Sequence, residues 1–431
     1  MALQAGLILL IVFALLLILS VPISISIVIS SLVTILIYLP YDISIFTAAQ
    51  KLVTGLDSFS LLAVPFFILS GMLMNNGGIA ERLINFAKVL VGRVPGSLAH
   101  TNILASTMFG SLSGSSVASA AAMGQVMLPV MEKEGYDPKF SAAVNIASSP
   151  TGLIIPPTGA LILYSLVSGG TSIAALFIAG YIPGILWALA CSLVAYIVAK
   201  RRSYPVSERL TFKMAMKTIV EAIPSLLMIV IVIGGIIVGV FTATEASAIA
   251  VVYSLVLSLI YKTVKLRDLP KILMESVELT TVIMLLVAGS AVMSWIMSFT
   301  GIPQAISNLI VGITDSPILI LLIINVILLI IGCFMDITPA ILIFTPIFLP
   351  IVTSFGMDPI HFGIMLVMNL SVGNITPPVG SSLFAGVSVA KLDLEDVIKP
   401  MIPFYVAIIV TLLLVTYVPE LSLFLPRLLG Y

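Results

Sequence analysis

Gly110-Ser-Leu-Ser-Gly-Ser-Ser-Val-Ala-Ser-Ala-Ala-Ala-Met-Gly124 sits in a chain that is otherwise mostly Leu, Ile and Val. Its five Ser and three Gly in fifteen residues are too polar for a lipid-facing helix, and it has no charge that would make it a solvated loop. At membrane depth, backbone that leaves the helix is tolerated only where protein buries it or it lines a cavity. One reading is therefore a hairpin tip between two half-helices, with hydroxyls and free backbone groups facing a site. The other is a seam of small residues where helices pack. From this segment alone the two readings stand level.

Composition sets the compartment. Of the 431 residues, 60% are hydrophobic and 9% charged, and mean hydropathy is +1.25. A soluble domain carries about 25% charged residues, so the chain reads as an all-α polytopic membrane protein. It has room for on the order of ten spans of about 20 residues each. The net charge of zero gives no case for nucleic acid. Cys191 and Cys333 lie apart in apolar runs, with neither a disulfide framework nor metal-ligand spacing. The stretch from Met1 to Ser20 is apolar without a basic flank and is expected to be a retained helix, not a signal peptide.

Apolar runs predict spans over about 3–20, 22–38, 60–75, 171–199, 218–241, 244–261, 276–298 and 400–418, and two interrupted ones over 139–168 and 359–390. Two regions broken in the middle, 99–132 and 316–352, read as re-entrant hairpins, and 42–58 and 79–92 suit interfacial helices. The basic residues test this topology. Lys200, Arg201, Arg202, Arg209, Lys213 and Lys217 form one loop, and Lys262, Lys265, Arg267 and Lys271 another. Carrying the alternation outward places 17 of the 19 Lys and Arg inside, with Lys51 and Arg427 outside. That bias orients the chain with both termini external.

The two halves match at a fixed offset. Leu128-Pro129 recurs as Leu349-Pro350, Gly135-Tyr-Asp-Pro138 as Gly356-Met-Asp-Pro359, and Pro156-Pro157-x-Gly159 as Pro377-Pro378-x-Gly380, all three with the same separation. More loosely, Gly78-Ile79 and Val91-Gly92 echo Gly301-Ile302 and Val311-Gly312. On the topology above the first hairpin enters from the cytoplasm and the second from outside. The repeat is then inverted, as in many secondary transporters, although channels also carry such repeats. The expected layout is N-terminal scaffold helices and an interfacial helix over 1–60, a first repeat over 61–200 and a central scaffold pair over 201–262. A second repeat over 263–420 and a tail over 421–431 follow.

The repeat names four site elements. Opposite the Ser-rich tip stands Gly332-Cys-Phe-Met-Asp336-Ile-Thr338-Pro339-Ala340. The first broken span holds Asn145-Ile-Ala-Ser148-Ser149-Pro150-Thr151-Gly152 and then Pro156-Pro157-Thr158-Gly159. The second holds Asn369-Leu-Ser371-Val-Gly373-Asn374-Ile-Thr376-Pro377-Pro378-Val-Gly380. Paired prolines remove backbone donors and break the helix. The carbonyls they free need partners, and a desolvated Na⁺ is a good one. The positive ends of half-helices can hold an anionic group. Asp336, a carboxylate inside a membrane segment, reads as a cation ligand and is also a good N-cap. Glu245, at a span end, reads as a cap, as do Asp137 and Asp358 before Pro. His100 and His361 read as interfacial or satisfied core residues.

No Lys or Arg lies in a span interior, and the sequence has no GxxxxGK[ST], HExxH or GxSxG. Direct ATP use and hydrolytic chemistry are therefore not expected, and the chain is not expected to be an enzyme. A channel with a filter of these same carbonyls is the alternative to a transporter.

At these motifs the chain resembles the large membrane subunit of the tripartite ATP-independent periplasmic (TRAP) transporters. The resemblance rests on the Gly110–Gly124 stretch, Ile155-Pro-Pro-Thr, Gly180-Tyr-Ile-Pro-Gly184, Phe241-Thr-Ala-Thr-Glu-Ala246 and Asn374-Ile-Thr-Pro-Pro-Val-Gly. It implies a Na⁺-coupled importer of the bacterial or archaeal inner membrane, with elevator-type architecture in which a domain carrying both hairpins slides past a scaffold. It also implies two partners: a small four-helix membrane subunit and a periplasmic substrate-binding protein that captures an organic acid. Because this chain begins directly at the first span, the small subunit is expected to be a separate polypeptide. By resemblance, one Na⁺ site lies between Ser113, Gly114, Ser115 and Ser116 and the break at Ser149, Thr151 and Gly152. A second lies between Asp336 and Thr338 and the break at Gly373, Asn374 and Thr376. The substrate would sit between the tips, near Ser111, Ser115, Ser116, Ser148, Pro150, Thr338 and Pro377. The run from Ser165 to Tyr181 is similar to the sialic-acid branch; C4-dicarboxylates are the other expectation.

Overall fold

The computed structural model describes residues 1–206 and 211–431, so Arg209 of the basic loop lies outside the described residues. Every regular element among them is a helix. The chain opens with α1 (Ala2–Ile18), α2 (Ile23–Tyr38), the amphipathic α3 (Tyr41–Thr54), and α4 (Ala63–Asn76) behind a 3-10 turn. The first repeat unit follows with α5 (Ile79–Val91), the hairpin arms α6 (Ser97–Ser113) and α7 (Ser116–Lys133), and a span broken into α8 (Pro138–Ser148), α9 (Thr151–Ile154) and α10 (Gly159–Val167). The long α11 (Ile173–Arg201), α12 (Phe212–Ile237), α13 (Ala243–Ile260) and α14 (Leu269–Thr300) come next. The second unit holds α15 (Ile302–Val311), arms α16 (Pro317–Phe334) and α17 (Ile337–Ser354), the broken pair α18 (Pro359–Gly373) and α19 (Ser381–Ala390), then α20 (Leu394–Tyr417) and a short α21 (Glu420–Leu428).

Both hairpins and both breaks thus fall where the Gly, Ser and Pro clusters predict them. Two helices were not anticipated. α15 is the counterpart of α5, and each starts after a left-handed glycine, Gly78 at φ 68° and Gly301 at φ 74°. α21 occupies the expected tail. By length and composition, eight helices among the described residues can cross a membrane, or nine with the first broken pair taken as one span. That set differs from the ten expected spans. It includes both arms of the second hairpin, at 18 residues each, and omits α1 and α2, at 17 and 16, and the second broken span, α18 with α19. An 18-residue helix is about 27 Å long, so length cannot separate a re-entrant arm from a span.

Side-chain caps hold six of the helix starts among the described residues: α7, α8, α10, α11, α13 and α18. Thr242 and Glu245 form a reciprocal capping box on α13, at 3.2 and 2.8 Å. Asp137 and Asp358 cap α8 and α18 ahead of Pro at the first helical position. Glu245, Asp137 and Asp358 are therefore caps, as their positions imply.

The helices form two groups. α13 packs on α4, and α14 on α2, α3 and α4, while α12 joins α13 to α5. The hairpins, the broken spans, α11 and α20 make the other group. Within it the broken spans are the centre: every residue from Phe140 to Ser148 and from His361 to Gly373 is buried. Their far fragments cross over. α10 packs on α17 and α18 of the second repeat, and α19 packs on α7 and α8 of the first.

Two glycine pairs set how closely each hairpin meets its own broken span. A methyl added to Gly110 would lie 2.6 Å from the Gly152 Cα, and one added to Gly373 would lie 2.6 Å from the Gly332 carbonyl oxygen. Backbone stands on both sides of each contact, so no side chain can give way. Gly152→Ala and Gly373→Ala are each expected to destabilise the chain by about 1–3 kcal/mol through overpacking. Gly234→Ala, where an added methyl meets nothing within 4 Å, is expected to be neutral or slightly stabilising. Thermal denaturation in detergent, compared across the three variants, checks this.

Candidate functional site

The first tip is built from a left-handed Gly114 at φ 61° and an extended Ser115. The Gly114 N–H donates to the Gly110 carbonyl at 2.8 Å, and Ser115 Oγ caps α7 by accepting from the Ala118 N–H at 3.2 Å. Gly114 faces the first break, where an added methyl would lie 3.3 Å from the Pro157 carbonyl oxygen. On its other side the tip touches α4, since a methyl on Gly71 would lie 3.0 Å from the Ser113 carbonyl oxygen. The expected residues of the first break are fully buried, and their hydroxyls turn back on their own helix. Ser148 donates to Val144, Ser149 to Ile146 and Thr151 to Ser148, at 2.9, 2.9 and 2.7 Å. Ser111 does the same to Met108 at 2.8 Å. Their lone pairs stay available to a cation; their protons do not.

The second tip is Met335 and Asp336, both extended. Asp336 holds the N-cap position of α17, and its Oδ1 accepts from Ser381 Oγ at 3.2 Å. Asp336 is therefore the N-cap of α17 by position, without a side-chain cap hydrogen bond. Across the break, the Val379 N–H donates to the Cys333 carbonyl at 3.1 Å, and Thr376 Oγ1 donates to Val372 at 2.7 Å. Thr338 is half-buried, the second residue of α17.

The two tips meet at Asn374, which is 2% exposed. Its Nδ2 donates to Ser116 Oγ of the first hairpin at 2.8 Å and to Ser382 Oγ at 3.2 Å. Ser116 and Ser382 share a hydrogen bond of 2.7 Å, and Ser381 donates to Asn374 Oδ1. Through Ser381 the chain of bonds reaches Asp336. Ser116, grouped by resemblance with the first break, thus also bonds across to the second. Sequence reasoning missed Ser381 and Ser382. The signal was there, two hydroxyls directly after Pro377-Pro378-x-Gly380, but the first repeat has Ala160 and Leu161 in those places.

Both Pro-Pro bonds, Pro156-Pro157 and Pro377-Pro378, are cis. The carbonyls around the breaks find partners that the sequence did not announce. Trp187 Nε1 donates to the Ala147 carbonyl at 2.9 Å, and the Tyr405 hydroxyl to the Ile375 carbonyl at 2.6 Å. Ile154, the repeat equivalent of Ile375, instead packs its carbonyl directly on the Cα of Gly180, where a methyl would overlap it. A methyl on Gly184 would likewise overlap the Ile155 side chain. Gly180-Tyr-Ile-Pro-Gly184 is therefore the flat face against which the first break lies. Among the described residues no three His, Cys, Asp or Glu side chains gather as a metal site. The donors assembled here are carbonyls, hydroxyls, an amide and one carboxylate, a hard set suited to an alkali cation. Tyr405→Phe removes the side-chain donor of the Ile375 carbonyl, and Trp187→Phe leaves the Ala147 carbonyl only the weak Cys191 thiol at 3.6 Å; each is expected to destabilise the chain by about 1–3 kcal/mol, read as a fall in melting temperature with the fold retained.

Comparison with known proteins meets this geometry. The family model for the DctM component of tripartite ATP-independent periplasmic transporters matches residues 10–421. The chain is 55% identical over 416 residues to the uncharacterized protein YgiK of Salmonella typhimurium, covering 96% of each. It is 40% identical over 386 residues to the sialic acid TRAP transporter large permease protein SiaM of Vibrio cholerae, covering 89% of this chain and 90% of that one. It is also 40% identical over 402 residues to the C4-dicarboxylate TRAP transporter large permease protein DctM of Pseudomonas aeruginosa, covering 93% of each. Among solved structures the YdaH transporter of Alcanivorax borkumensis matches with a TM-score of 0.62 at 15% identity, over 91% of this chain and 90% of that one, a likeness of fold alone. The chain belongs to the DctM-component family of tripartite ATP-independent periplasmic transporters, as a large permease subunit and not an enzyme.

Proposed function

We propose that this permease imports an organic acid by Na⁺ symport, with an elevator motion of the hairpin group past the α2–α4 and α12–α14 scaffold. The observation that carries the reading is the hydrogen-bonded cluster of Ser116, Asn374, Ser381, Ser382 and Asp336, which joins both hairpin tips at one oxygen-rich point. Residues of the two halves that meet at the tips form a site that can open to either side if the group moves as a unit. Na⁺ would be held by the first tip and the Ser149–Gly152 break, and by Asp336, Thr338 and the Gly373–Thr376 break. The acid would lie between the tips, on hydroxyls, backbone N–H groups and helix ends.

The soluble partner would deliver the acid from outside, and a small membrane subunit would brace the scaffold. The distribution of basic residues supports an orientation with both termini external, in the inner membrane of a bacterium or archaeon. Sialic acid is the first substrate to test, on the likeness of the run from Ser165 to Tyr181 to that branch and on the SiaM relative. A C4-dicarboxylate is the second, on an equally identical relative.

Proteoliposomes holding this chain with its small partner, given the soluble binding protein outside, are expected to accumulate labelled acid only under an imposed Na⁺ gradient. Rapid equilibration with neither Na⁺ nor binding protein would point to a channel instead. Asp336→Asn is expected to cut Na⁺-driven uptake at least about tenfold, the size of one lost ion-coupled interaction of about 1.4 kcal/mol, with unchanged folding; uptake at the parent rate removes Asp336 from the coupling site. A cysteine on α7 paired with one on α12 or α13 is expected to cross-link to different extents with and without Na⁺ and substrate. A yield that never changes counts against a sliding group.

A further inference from the structure

The repeat contains one place where its halves are not equivalent. In the first half, the corner between hairpin and broken span is filled by the chain that follows α11. Tyr204 stacks on Tyr136 and Phe140, with ring centroids 4.4 and 5.5 Å apart. The Asp137 N–H donates to the Tyr204 hydroxyl at 3.2 Å, and Arg202 forms an ion pair with the Asp137 carboxylate at 2.5 Å. The Tyr136 hydroxyl donates to the Pro205 carbonyl at 3.2 Å, which pins the segment down.

The corresponding corner of the second half, at the repeat offset, holds Met357, Asp358 and His361. Among the described residues no such segment closes it. α20 stops at Tyr417, whose hydroxyl donates to the Ile318 carbonyl at 3.0 Å, and Pro419 turns the chain into α21, which packs on α11 and α18. A cavity of about 340 Å³ remains, with Phe355, Met357, Asp358, His361, Tyr417 and Arg427 in its wall. Arg427 is paired with Glu420, and His361 is bonded to the Val415 carbonyl at 2.8 Å. Asp358 caps α18 by accepting from the Ile360 N–H at 2.7 Å, but among the described residues it has no basic partner, unlike Asp137. With Arg427 held by Glu420, Asp358 is the acidic group of the wall without a basic partner among the described residues, beside aromatic and Met surface.

We propose that this cavity is a docking notch for an arginine next to an aromatic side chain on the soluble binding protein. The first half displays the chemistry that closes such a corner: a guanidinium on the aspartate and a ring on the apolar floor. The second half keeps the aspartate and the floor, but Arg427 in its wall is held by Glu420, and among the described residues no guanidinium sits on Asp358. This inference rests on the orientation and the partner proposed above, by which this corner faces outside, where the binding protein arrives. Lying at the start of the hairpin and broken span that carry Asp336 and Asn374, an occupied notch would tie arrival of the binding protein to the group that holds the site.

The test measures uptake in proteoliposomes against the concentration of purified binding protein, for the parent chain, Asp358→Asn and Met357→Trp. Asn retains the cap of α18 while removing the charge, and Trp fills the notch while leaving Asp358 in place. Both are expected to raise the binding-protein concentration at half-maximal uptake by about threefold to tenfold. Uptake at saturating binding protein, and its Na⁺ dependence, should match the parent. Asp358→Asn should also weaken the dependence of half-saturation on ionic strength. Parent-like half-saturation in both variants, with parent-like melting, overturns the notch and leaves the transport reading standing. An impermeant maleimide should label Leu429→Cys, a half-exposed site on the same end, in sealed cells. Labelling only after permeabilisation overturns the orientation and the notch together, and a parent chain whose uptake ignores the binding protein overturns the partner reading on which the notch depends.

Discussion

A backbone carbonyl or N–H that leaves its helix at membrane depth has no water to turn to, and the architecture of this permease follows from satisfying such groups. The two Pro-Pro breaks strip donors from helices buried on every side. Each freed group then selects what stands beside it. Trp187 and Tyr405 reach in with side-chain donors, Val379 bonds to the facing tip, and Gly180 lets a carbonyl lie against bare backbone. The protein does not bury these breaks passively. It spends its few polar side chains around them, and the oxygens that remain oriented but incompletely bonded form the candidate site.

That arrangement explains why the site lies between elements and not within one. A tip alone offers a handful of hydroxyls, mostly bonded to their own helix. Only when Ser116 from one hairpin, Asp336 from the other and Asn374 from a broken span come together does a polar cluster exist. The close glycine contacts, Gly110 on Gly152 and Gly332 on Gly373, hold each tip at the distance where this occurs. Packing precision and the assembly of the polar cluster are here one constraint. A displaced hairpin would part Ser116 from Asn374 and Ser382 at once.

Much of this was legible in the sequence because it violates what lipid requires. Ser and Gly crowded at Gly110–Gly124, a carboxylate at Asp336 and paired prolines at 156 and 377 make no sense on a lipid-facing helix, so each announces a tip or a break. The fixed offset between the halves then pairs them. What was not legible depends on tertiary placement. Nothing local tells Trp187 from any membrane tryptophan, or says that Ser382 will meet Ser116 across 266 residues of sequence. α15 left only the faint Gly-Ile and Val-Gly echo of α5, and α21 is short and flanked by proline. The span set differed because hairpin arms are as long as spans, while α1, α2 and the pieces of the second broken span are shorter than a full crossing.

The crossing of the broken spans has a consequence for how such a molecule could arise. α10 of the first repeat buries itself on the second hairpin, and α19 of the second on the first. Neither repeat therefore contains its own complete interior. A single ancestral copy would have exposed the seat for α10 or α19 and carried an arm with nowhere of its own to lie. Its workable form is a pair of identical chains that exchange arms, as in a domain-swapped dimer. Fusing two such genes would then lock an existing exchange into one polypeptide. The duplication visible in the sequence would be the covalent record of an oligomer, and the intertwining a reason the halves have not drifted into separable domains.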